Sequence, residues 1–88
     1  MSTLLVGYDL NRPGQDYANL IERIKQIGVW WHHLDSTWLV KTGLTPAQLR
    51  DDLKRYVDSG DELLVLDVTG AAWAGTGFDS YDWLHNKL

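Results

Sequence analysis

The 88-residue sequence contains no cysteine. That excludes a disulfide framework and a thiolate metal site, and leaves the redox compartment undetermined. Basic residues are few: eight Lys and Arg stand against twelve Asp and Glu, a formal net charge of −4. A protein that grips a duplex by its phosphates carries the opposite sign as a rule, so tight non-specific DNA binding is disfavoured. The opening "MSTLLVGYDL" has no basic leader and meets a charge at Asp9, so neither a signal peptide nor a membrane span is expected. Cytoplasm, of a bacterial cell or a phage-infected host, is the expected location. "TGAAWAGTG" lacks a phosphate-loop lysine and GxGxxG spacing, which excludes a dinucleotide fingerprint. No repeat, low-complexity tract or linker divides the chain, so one domain is expected over 1–88.

Aromatic residues, in contrast, are abundant, with five Trp and four Tyr. Large rings let a short chain bury much area per residue, which offsets the small core available at this length. The 44% hydrophobic and 23% charged content is that of a folded chain rather than a disordered one.

Hydrophobic periodicity sets the element order. "TLLVGYD" reads as a buried strand, and Pro13 and Gly14 supply turn chemistry after it. Asp16 is placed to cap a helix in which Tyr17, Leu20, Ile21, Ile24 and Ile27 follow the 3.6-residue period, with Gly28 at the C′ position. "VWWHHL" and "TWLVKT", with "LDST" as the short connection, read as a hairpin. Thr45, Pro46 and Gln48 form a capping-box start, with Leu44 and Leu49 at the staple positions. The stripe Leu49, Leu53, Tyr56 and Val57 then predicts a helix running to Gly60. "ELLVLDV" is a further continuous apolar run, and a short helix is expected from Asp79.

The order β-α-β-β-α-β defines an α+β, ferredoxin-like sandwich. It predicts a four-stranded antiparallel sheet in spatial order 4-1-3-2, two helices on one face, and a C-terminal appendage over 69–88 beyond a core at 1–68. The other face would be bare, and a Trp-rich chain should cover it with a partner, giving a homodimer or higher oligomer.

Residues with chemical potential collect near the end of the first strand. In the inferred sheet Asp9 lies beside Asp35 and Ser36 of the hairpin turn and Asp61 and Glu62 before the last strand. Carboxylates at one end of a sheet suit Mg²⁺, while a turn acid bonded to local amides or to Arg12 is the structural alternative. Asn11 and Arg12 flank the turn, and the Arg fork suits phosphate oxygens. His32 and His33 point to opposite faces of a regular strand and cannot share one ion. Trp30, Trp31 and Trp38 can stack a nucleobase or fill the core. "RDDLKRYVD" reads as a solvated helix face.

In order and spacing, these residues resemble the small CRISPR-associated adaptation subunit, Cas two. The shared features are the aromatic–Asp end of the first strand (Tyr8, Asp9), Ser36, Thr37 and Trp38 opening the third strand, and the helix start with Leu44, Thr45 and Leu49. The "YDLN.PGQ.Y" opening and "S.WLVKT" strand are closest to a stand-alone branch labelled SinR. The resemblance covers about the first 68 residues. It implies a homodimer in which Asp9 of each subunit converges on a divalent metal, with Tyr8, Arg12 and Ser36 as neighbours. It also implies nucleic-acid binding and Mg²⁺-dependent endonuclease activity on RNA or DNA, with Asp9 and Ser36 catalytic. The acidic balance and the Gly-rich tail argue against an integrase partner. The alternative expectation is a non-enzymatic nucleotide-binding or protein-interaction module in phage–host defence, a signal-nucleotide sponge or a scaffold. Arg12 and Trp73 would then contact the ligand.

Overall fold

The computed structural model describes residues 1–10, 17–78 and 81–88. The elements are β1 (Ser2–Asp9), α1 (Ala18–Ile27), β2 (Val29–Leu34), β3 (Thr37–Thr42), α2 (Pro46–Leu53), a 3₁₀ turn (Lys54–Tyr56), β4 (Glu62–Asp67) and α3 (Tyr81–Lys87). The strands form one antiparallel sheet in the order β2-β3-β1-β4, the ferredoxin-like arrangement that the element order predicts.

Strand periodicity assigns the faces. Leu4 and Val6 of β1 and Trp38 and Val40 of β3 turn toward the helices, where they meet Leu20 and Ile24 of α1 and Leu49 and Leu53 of α2. All eight side chains are buried. The start of α2 is the expected capping box: Gln48 N donates to Thr45 Oγ1 at 3.2 Å, and Thr45 N donates to Gln48 Oε1 at 2.9 Å. Between the helices, Arg23 forks onto Asp52, with Nε–Oδ1 at 2.8 Å and Nη2–Oδ2 at 2.7 Å. That pair, with desolvation opposing it and Arg55 assisting, holds the Asp52 carboxyl below its ordinary value.

Two local expectations need correction. The second helix ends at Leu53 rather than near Gly60, because the chain tightens there into the 3₁₀ turn. The Arg55 side chain donates to the Asp52 carbonyl at 3.1 Å, drawing on a group that a continuing α-helix would use. Gly28 is not a left-handed cap, since its backbone is extended. Glycine is required for a different reason: a Cβ here would collide with the Lys41 carbonyl oxygen of β3.

The largest correction concerns the second sheet face, which is not bare. The chain's own C-terminal segment packs on it, with Trp31, Leu39 and Leu84 buried and Leu5, Val68, Trp73, Phe78, Trp83 and Leu88 against them. A polar anchor fixes the end of α3. The Lys87 carbonyl accepts from Thr3 Oγ1 at 2.7 Å and from Lys41 Nζ at 2.6 Å, satisfying a helix C-terminal carbonyl with a cation. The β4 side of this face stays open, with Leu64 at 57% and Leu66 at 43% exposure. No described helix is long and apolar enough to cross a membrane.

Candidate functional site

As inferred from the sequence, the end of β1 lies between the hairpin turn and the start of β4. Tyr8 N donates to the Ser36 carbonyl at 3.1 Å, and Asp9 stands directly opposite Glu62 in the β1–β4 register. The aromatic residues around this rim pack on one another. Trp38 Nε1 donates to Tyr8 Oη at 3.0 Å, and the His32 ring stacks on Trp38 at 3.7 Å with only 9° between planes. His32 Nε2 also lies 3.2 Å from the Asp35 carbonyl, so the ring ties the turn to the core. Trp38 is fully buried, which corrects its assignment as a ligand-stacking residue: no ring face is left for a base.

The two histidines do take opposite sides, His32 on Trp38 and His33 against Trp31 at 5.2 Å. A β-bulge between Trp31 and Leu34 sets His32 and His33 together opposite Trp38. Trp73 belongs to the tail's own aromatic cluster. It stacks on Tyr81 at 5.7 Å and meets His85 edge-on at 5.0 Å.

The acidic groups divide by role. Asp61 accepts from Tyr17 Oη at 2.9 Å on both oxygens and from Asp58 N at 2.8 Å, so it braces the entry to β4. Asp9 and Glu62 share the open face because directly opposed strand residues point the same way. Among the described residues, no group of three or more His, Asp or Glu could hold a metal ion. Asp9 and Glu62 thus stand side by side on this rim, while Asp61 is bonded to Tyr17 and to Asp58 N. Ser36 is exposed on the turn, and its carbonyl accepts from Tyr8. Asn11 and Arg12, together with the expected cap Asp16 and the expected helix start Asp79, lie outside the described residues.

Concave surface gathers around β4 instead. A groove of about 460 Å³ is lined by Arg50, Lys54, Val57, Ser59 and Leu63, with Asp58 and Asp61 at its wall. A second, of about 330 Å³, runs along Pro46, Ala47, Arg50 and Leu63 to Val65. A third, of about 270 Å³, lies at Gly7, Tyr8, Asp9 and Glu62 to Leu64. Leu63 lines all three. Sequence reading passed over Arg50 and Lys54 because their alternating charges look like any solvated helix. Only the placement of α2 beside the sheet edge shows that they flank β4.

The fold and these surfaces define a ferredoxin-like α+β domain with exposed apolar side chains on both edge strands, Val29, Trp30 and Leu34 on β2 and Leu64 and Leu66 on β4, and with its grooves along β4. No protein-family model and no solved structure matches the chain at a significant level.

Proposed function

We propose that this protein is a binding module rather than a hydrolase, and that it works by engaging another polypeptide along the β4 side of its sheet. One observation carries this reading. An edge strand with exposed Leu64 and Leu66 is flanked by open grooves. Exposed apolar side chains on an unpaired edge favour association over solvation. The acidic balance supports a polypeptide partner over a nucleic-acid duplex.

A second reading has one specific observation in its favour. The like charges of Asp9 and Glu62 face each other directly, an arrangement that costs stability unless a cation offsets it. That is the Cas-two-like reading, with Mg²⁺ at Asp9 and phosphodiester cleavage of RNA or DNA. The separating experiment incubates the intact protein with RNA and with single-stranded and duplex DNA, with Mg²⁺, Mn²⁺ or chelator. No cleavage above the chelator control is expected. Metal-dependent cleavage that disappears in Asp9→Asn would establish the nuclease reading and overturn the binding-module one.

A further inference from the structure

We infer that the partner on the β4 edge is a second copy of this chain, joined by antiparallel β4–β4 pairing about a two-fold axis. The inference rests on the binding-module reading and adds the occupant and its register. Backbone direction comes first. Tyr8 N points to β3, because it donates to the Ser36 carbonyl, so the alternate residues of β1 address β4. The 2.9 Å bond from Val68 N to the Thr3 carbonyl confirms this. Glu62, Leu64 and Leu66, opposite Asp9, Gly7 and Leu5, therefore spend their peptide groups on β1. The peptide groups of Leu63, Val65 and Asp67 face outward.

The two edges of the sheet differ. β2 is interrupted by its bulge at His32 and His33, a common way of blunting an edge. β4 keeps an unbroken register with β1 from Asp67 to Glu62, without bulge or proline. It is the edge suited to strand addition.

Self-complementarity then selects the occupant. Two-fold pairing must place residues of like orientation opposite each other, so the axis can fall at any residue from Leu63 to Asp67. At Leu64, Leu66 would meet the acid Glu62 of the mate, and at Leu66 only Val65 to Asp67 of each β4 would pair. At Leu63, Leu64 would meet the acid Glu62 of the mate. At Asp67, Leu64 would be left outside the paired segment. Centred on Val65, Leu64 lies opposite Leu66 in both directions, and the four exposed leucines close over one another. Glu62 then faces Val68 instead of an acid. Asp67 comes opposite Leu63, beside the groove that Arg50, Lys54, Asp58 and Asp61 line. The two Asp9 residues stand at least three strand spacings apart, roughly 14 Å, and cannot share one metal ion.

The test exploits the absence of cysteine. In this register Val65 faces Val65 of the mate as a hydrogen-bonded pair, with Cα atoms about 5.5 Å apart and within disulfide reach. Val65→Cys should convert to a covalent dimer on mild oxidation, while Val29→Cys, on the other edge and 51% exposed, should form no disulfide cross-link within the dimer. Light scattering should give the wild type twice the monomer mass and Leu64→Lys the monomer mass, with the circular dichroism of both alike. A monomeric wild type at high micromolar concentration, or cross-linking through Val29→Cys instead, would overturn the pairing. Metal-dependent cleavage in the nuclease assay would instead overturn the reading beneath it, whatever the mass.

Discussion

At the scale of single residues, the fold depends on a few close fits. Gly28 lets the chain leave α1 and enter β2 against the Lys41 carbonyl. Gly28→Ala should cost about 1–3 kcal/mol by overpacking, read as a lower denaturant midpoint at unchanged slope. Its position after an apolar stripe marked it as a cap, and only the strand crossing beside it shows the true constraint. Asp52 gives a pH-dependent test. Its carboxyl titrates below the ordinary value when folded, so its contribution is full above that value and is lost as pH falls through the depressed one. The stability gap between wild type and Asp52→Asn should therefore be widest near neutrality and close in strong acid. A gap that stays constant across acid titration would remove the Arg23 clamp as its cause.

At the scale of elements, legibility follows the length and strength of the local signal. The capping box of α2 was readable because Thr45, Pro46 and Gln48 have fixed chemical roles at a helix start. Thr45→Ala should cost about 1 kcal/mol in equilibrium unfolding. The four strands and their order followed from periodicity and from the right-handedness of crossovers. The docking of α3 was not readable. Seven residues after a glycine-rich stretch carry little periodicity, and nothing local shows that Thr3 and Lys41, far earlier in the chain, receive its last turn. Thr3→Val should loosen that turn selectively, speeding hydrogen exchange in α3 while leaving α1 and α2 protected. Uniform loss of protection across all three helices would show that the tail is not a separable unit. The rim was half-legible: topology places Asp9 beside Ser36 and Glu62, but the commitment of Asp61 to Tyr17 and the burial of Trp38 are tertiary facts.

For the whole molecule, the consequence is an asymmetry between the sheet's two edges and within its second face. The tail occupies the part of that face near β2 and β3, and leaves a leucine strip beside β4. The run "ELLVLDV" does not disclose this, because an apolar strand buried on both faces and one awaiting a partner have the same composition. A chain of this size has a small core, so joining two sheets edge to edge would add both stability and a defined surface. The most direct measurement is residue-resolved amide hydrogen exchange along β4 as protein concentration is raised. β4–β4 pairing predicts that the outward amides of Leu63, Val65 and Asp67 become protected with concentration, approaching the inward amides of Leu64 and Leu66. Exchange at those three amides that stays fast at every concentration would contradict it.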